Sequence, residues 1–175
     1  LAAYLMFGHQ LLLPIPDPDR TDFMVLMGAN PAVSGGSIMS AGDAMARLAG
    51  IRKRGGAFWT IDPRRTETAA KADRHLFIRP GTDALLLCAV LQVVWSKRGS
   101  RLGHLSEHVR NAEGLATMFD DFTPAVVAPH CGIAAEDVEA LALRFADAPR
   151  AIWYGRMGVC TQEFGGISAW LVYLL

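Results

Sequence analysis

Residues 23–36 read FMVLMGANPAVSGG, and residues 57–65 read AFWTIDPRR. Each is an apolar run of strand length that ends in polar, turn-forming residues: Gly28-Ala29-Asn30-Pro31 in the first, Asp62-Pro63-Arg64-Arg65 in the second. Between them, Ser37–Arg54 carries Ile38, Met39, Met45, Leu48 and Ile51 at roughly helical spacing. Arg52, Lys53 and Arg54 lie near its end, where cations complement the helix dipole, and Gly55-Gly56 stops it. Two buried parallel strands, Phe23–Met27 and Ala57–Ile61, joined by a helix would look like this. In open α/β sheets, ligands bind beyond the carboxyl ends of the strands. The first expectation is a nucleotide-type ligand held by backbone amides, an asparagine, an aspartate and arginines.

The same alternation continues downstream. A short helical turn over Thr66–Lys71 precedes a third strand at His75–Ile78, which runs into Arg79-Pro80-Gly81-Thr82-Asp83. Thr82 or Asp83 suits the N-cap of a helix over Ala84–Lys97. A weaker helical region at Leu105–Asp121 breaks at Gly114. Thr123-Pro124 reads as N-cap and first turn of a helix ending near Gly132. Ala135–Asp147 is amphipathic, Arg150–Tyr154 is a fourth strand, and a last helix starts near Glu163. The fold class is α/β, an open, mostly parallel, Rossmann-like sheet flanked by helices, with a helical insert at about 99–148 capping one side. Leu1–Leu13 is apolar and partly helical, and Pro14, Pro16 and Pro18 make an extended connector, so residues 1–22 stand apart from a domain at 23–175. The chain begins at Leu1 and stops in an apolar run at Leu175, as expected of an internal piece of a longer polypeptide truncated at both ends.

Composition narrows the function classes. The 175 residues are 51% hydrophobic, enough for a full core. Lys and Arg number 17 and Asp and Glu 17, so no global field favours nucleic acid or an anionic membrane. No apolar stretch approaches the roughly 18–20 residues of a spanning helix, and no signal-peptide pattern is present. Cys88, Cys131 and Cys160 are odd in number and form no CxxC pair. They support neither a zinc site, an iron–sulfur cluster nor a secreted disulfide framework, and they point to a reducing compartment, the cytoplasm, with the periplasm as the alternative.

Each polar constellation has a plainer reading beside the functional one. Gly28–Gly36 offers close backbone approach, Asn30 as an amide reader and Ser34 as a hydroxyl donor. It is neither GxGxxG nor a Walker loop, and Asn-Pro also serves simply to break a strand. Asp62 could accept from guanine's N1–H and exocyclic amine, or from a ribose diol, with Arg64 and Arg65 clamping a pyrophosphate. The plainer alternative is an Asp-Pro turn with solvated arginines. Arg79–Asp83 adds amides and a second carboxylate, or is a proline turn with a helix cap. Tyr154–Gly165 puts Arg156 on another glycine-rich turn. Cys160 has no activating partner in sequence and reads as a packed thiol. His104 and His108 are four residues apart but lack an HExxH context, and a solvated helix face is the better reading.

Taken together, GANP, then IDPRRTETA and AD, then IRPGTDALLL, then GRMGVCTQEFG resemble the molybdopterin oxidoreductases of the dimethyl sulfoxide reductase class, among them formate dehydrogenases and nitrate reductases. The match runs in order from Thr21 to the end. The resemblance implies that these loops line a molybdenum–bis(molybdopterin guanine dinucleotide) cofactor. Gly28, Asn30 and Ser34 would approach one dinucleotide arm, and Asp62 and Arg64 would read its guanosine end. Pro80, Gly81 and Asp83 would close around it, with Arg156 and Gly158 near the pterin.

Three departures accompany the resemblance. The family's cysteine-rich segment for a 4Fe–4S cluster, the Cys, selenocysteine or Ser that binds molybdenum, and the later domains all fall outside these residues. No catalytic or metal-binding residue is therefore assigned here, and the isolated chain is expected to be inactive. Its expected partners are the missing domains of the same polypeptide, an electron-transfer subunit of the parent enzyme, and a second copy of itself. Two alternatives compete: a non-catalytic structural relative of the kind found in respiratory complexes, and an independent NAD- or FAD-binding domain.

Overall fold

A computed structural model describes residues 1–112 and 114–175, with the side chain of His104 also outside the description. Glu113, within the region expected to be weakly helical, and the expected solvent face of His104 therefore lie outside the described residues. The four strands are β1 (Phe23–Met27), β2 (Ala57–Ile61), β3 (Arg74–Leu76) and β4 (Ala151–Gly155). They form one sheet in the order β3-β2-β1-β4, and every pairing is parallel. Phe23 lies opposite both Ala57 and Ala151, so the central three strands start level and end level. All polar strand ends therefore share one edge.

Alternation along β1 divides the core. Phe23, Val25 and Met27 face helices α4 (Asp83–Arg98), α5 (Pro124–Cys131), α6 (Ala135–Asp147) and α8 (Gly165–Leu174). Met24 and Leu26 face α3 (Ala44–Lys53), whose Leu48 and Ile51 are fully buried against Phe58. Full burial of side chains this size contributes about 1.5–3 kcal/mol each. With both faces covered, the strands must be buried throughout, as β1 and β2 are, and only Thr60 of β2 departs from an apolar run. The weakly amphipathic region resolves into short 3₁₀ turns at Gly103–Leu105 and Ala116–Phe119. At the amino end, α1 (Ala2–Phe7) lies against α8, with the Phe7 and Tyr173 rings edge to face at 5.2 Å.

One expected element is corrected. Ser37–Arg54 is not a continuous helix: it is a 3₁₀ turn at Ser37–Met39, a break, and then α3 from Ala44. Ser40 and Asp43 sit at φ 51° and 49°, left-handed conformations that no helix accommodates. Asp43 then caps α3, its Oδ1 accepting from Ala46 N at 3.1 Å. The third strand also sits earlier than expected, at Arg74–Leu76. Ile78 is buried without joining the sheet.

Candidate functional site

The chain leaves β2 and β3 on one side of β1 and returns to place β4 on the other, so the strand order reverses between β1 and β4. The carboxyl edge at such a reversal is where open α/β sheets take ligands. The loops after β1, β2, β3 and β4 gather there, and the residues expected to bind a cofactor lie on them or, as Ser34, Asp83 and Gly158 do, in the helices that follow.

After β1, Gly28 turns at φ 56° and donates its N–H to Ile61 O at 3.0 Å. Asn30 precedes the short α2 (Pro31–Ser34), and both ends of its amide are engaged by the loop after β2. Its Nδ2 donates to Glu67 Oε2 at 2.8 Å, while its Oδ1 accepts from Thr68 N at 3.2 Å and Thr68 Oγ1 at 2.7 Å. Thr68 Oγ1 in turn accepts from Ala32 N at 3.0 Å, and Thr68 is fully buried. Asn30 thus latches two loops together, whereas Ser34 is exposed on α2. The hydrogen bond from Asn30 and the neighbouring charge of Arg64 hold the Glu67 carboxyl below its usual range.

After β2, Asp62 is pinned through its backbone and one carboxylate oxygen. Its N–H donates to Leu76 O at 3.2 Å, its carbonyl accepts from His75 Nε2 at 2.9 Å, and its Oδ1 accepts from Arg64 N at 2.9 Å. Among the described residues Oδ2 has no hydrogen-bond partner. The Arg64 guanidinium lies 3.7 Å from Glu67, and Arg65 is exposed with no ion-pair partner among the described residues.

After β3, Arg79 is directed away from the edge, donating to Pro129 O and His130 O at 3.1 and 2.8 Å. Pro80 and Gly81 are exposed, and Gly81 turns at φ 83° with open space where a Cβ would stand. Asp83, the first residue of α4, is 5% exposed. Burial pushes its carboxyl up, Gln162 opposes the rise and the charge of Asp62 adds to it, so the two carboxylates expected to share a site are neighbours.

After β4, Arg156 donates to Ser37 Oγ at 2.7 Å and thereby joins this loop to the one after β1. Gly158 is the second residue of α7 (Met157–Cys160), a turn of helix that the glycine-rich sequence did not announce, and donates its N–H to Gly28 O at 3.0 Å. Gln162 Nε2 closes the loop on Gly158 O and Val159 O.

Sequence reasoning missed Glu67, Thr68, His75, Ser37 and Gln162. Only the Thr-Glu-Thr run after Asp-Pro-Arg-Arg hinted at a hydrogen-bonded turn, with Thr66 Oγ1 accepting from Ala69 N at 3.0 Å. Nothing local marked Thr68 as the partner of a residue 38 positions away. Among the described residues, no cluster of three or more His, Cys, Asp and Glu is placed to hold a metal ion. No described helix is long and apolar enough to cross a membrane.

No protein-family model matches the chain. Over 151 residues it is 30% identical to a nitrate reductase of Klebsiella oxytoca, covering 85% of this chain and 16% of that protein. Over 154 residues it is 26% identical to formate dehydrogenase H of Escherichia coli (strain K12), covering 88% of this chain and 21% of that protein. Acetylene hydratase from Pelobacter acetylenicus shares the fold, with a TM-score of 0.76 at 22% identity over 91% of this chain and 22% of that one. The chain is a homologue of the molybdopterin oxidoreductases of the dimethyl sulfoxide reductase class. It spans about a fifth of the length of the relatives it matches, 16% and 21% of these two.

Proposed function

We propose that this chain forms one wall of the cofactor cleft in an oxidoreductase that uses a molybdenum or tungsten bis(molybdopterin guanine dinucleotide). The observation that carries the reading is Asp62: a carboxylate at the end of a parallel strand, fixed by Leu76, His75 and Arg64, with Oδ2 left unpartnered among the described residues. A carboxylate so held is suited to paired N–H donors such as those of guanine. The open space beside Gly81 and the exposed guanidinium of Arg65 suit a bulky, anionic dinucleotide arm. When bound, the group would supply two-electron redox chemistry at its metal.

This chain's own residues would bind and orient that group, and none would be catalytic. Asp62, Arg64, Pro80, Gly81 and Asp83 would hold the guanosine end, Gly28, Asn30 and Ser34 the adjoining arm, and Arg156 and Gly158 the pterin side. The domain would run from residue 23 to 175. Its partners would be the remaining domains of a longer polypeptide, which would carry the metal ligand and a 4Fe–4S cluster, and an electron-transfer subunit. The exposed apolar side chains of α1 and α8, Leu5 and Ile167 among them, would pack on such neighbours or, in their absence, on a second copy.

One observation favours a second reading, a structural relative without pterin. Asn30 and Gly28 are both engaged within the protein itself. Metal and pterin analysis of the full-length parent separates the two: molybdenum or tungsten with pterin is expected, and their absence would sink the proposal. Asp62→Ala should lower cofactor content there, whereas unchanged content favours the structural reading. Calorimetric titration of this chain with GDP, NAD and FAD tests the remaining alternative, an independent dinucleotide-binding domain.

A further inference from the structure

The ring of His75 lies on β3 opposite Thr60, directly beneath the turn that presents Asp62. Its Nε2 is 2.9 Å from the Asp62 carbonyl oxygen, and an atom facing a carbonyl at that distance must carry the proton. Its Nδ1 is buried and has no partner among the described residues. Of the two tautomers, the one with hydrogen on Nε2 is therefore the one that fits, because hydrogen on Nδ1 alone would be a buried donor without an acceptor among the described residues, while the Asp62 carbonyl would lose its side-chain donor. Phe77 fixes the ring's tilt, with centroids 4.0 Å apart.

The two peptide units flanking Asp62 are consequently held by the same short strand, the first through Leu76 O at the Asp62 N–H and the second through His75 at the Asp62 carbonyl. Rotation of either unit would swing the Asp62 side chain and break its contact with Arg64 N. We propose that His75 is the positioning residue that aims the Asp62 carboxylate at a guanine-type ligand. The inference rests on the reading that Asp62 receives such a donor, and it adds a residue that touches no ligand itself.

The test compares the unsubstituted chain with His75→Leu and His75→Gln, since the glutamine amide can reach the same carbonyl. Calorimetry with GDP should show affinity lost by about tenfold in His75→Leu, the size of one hydrogen bond, and recovered to within roughly threefold in His75→Gln. Amide hydrogen exchange at Arg64 supplies a readout that needs no ligand: protection should fall in His75→Leu and return in His75→Gln. Should His75→Leu fail to fold, His75→Asn, whose amide is too short to reach, replaces it. Unchanged Arg64 protection in the variant lacking the donor overturns the inference, as does GDP affinity that Asp62→Asn weakens and His75→Leu does not. Failure of the unsubstituted chain to bind GDP instead counts against the nucleotide reading, and Arg64 exchange alone then decides the role of His75.

Discussion

Gly28 and Gly158 meet backbone to backbone across the point where the strand order reverses. Gly158 N–H donates to Gly28 O at 3.0 Å, and a Cβ built on Gly28 would lie 2.8 Å from both Gly158 Cα and Val159 N. The contact closes the gap between β1 and β4 and sets how near the loops bearing Asn30 and Arg156 can come. It also gives both glycines a structural reason to be glycine.

Gly28→Ala should therefore destabilise the chain by about 3 kcal/mol, through backbone overlap and a non-glycine residue at φ 56°. Gly158→Ala meets the same contact from the other side, at 2.8 Å from Gly28 Cα. Urea melts of the two variants and the double variant should show costs that do not add, because the overlap is shared.

Thr68→Val removes the hydroxyl that donates to Asn30 and accepts from Ala32 N, in a fully buried position. A loss of about 2 kcal/mol is expected, with Thr68→Ser retaining most of the stability. If the latch also aligns the two loops, GDP affinity measured by calorimetry should fall in the valine variant and not in the serine one.

Asp83 predicts a pH dependence with a definite sign. Its carboxyl is raised above the ordinary 3.8 by burial, so the folded chain holds this proton more tightly than the unfolded chain does. Stability contributed at this position then falls as pH rises from about 4 through the raised folded value. Asp83→Asn should gain stability relative to the unsubstituted chain between pH 4 and pH 7, as read by urea melts at both. An advantage that shrinks over that interval would contradict the assignment.

Two of the three thiols, Cys88 and Cys131, should be sluggish. Burial pushes Cys88 up to about 11 and raises Cys131 as well, whereas Cys160 is exposed, against the expectation of a packed thiol. Iodoacetamide labelling of Cys88 and Cys131 at pH 8, followed by mass spectrometry, should run roughly tenfold slower on the folded chain than in urea.

The strands of the site were legible because burial on two faces leaves a pattern within a few residues. Phe23–Met27 and Ala57–Ile61 appear in the structure with the bounds expected from their apolar runs, and α6 with its amphipathic period. The helix after β1 was misread because spacing alone cannot reveal that Ser40 and Asp43 adopt left-handed conformations before α3 is capped. The reach of Asn30 was illegible for another reason: its partners stand 37 and 38 residues away, in the loop after β2, a strand whose position beside β1 no local pattern encodes.

Local periodicity and turn chemistry by themselves determined an α/β sheet whose strand ends carry Asn30, Asp62, Asp83 and Arg156. Tertiary structure alone decided which of these polar groups face outward. A buried or half-buried donor or acceptor finds whatever partner the neighbouring loop offers, and neighbours are set by the order β3-β2-β1-β4. That order engages the amide of Asn30 with Glu67 and Thr68 and presses Gly28 against Gly158, while it holds Asp62 by its backbone and leaves one carboxylate oxygen open.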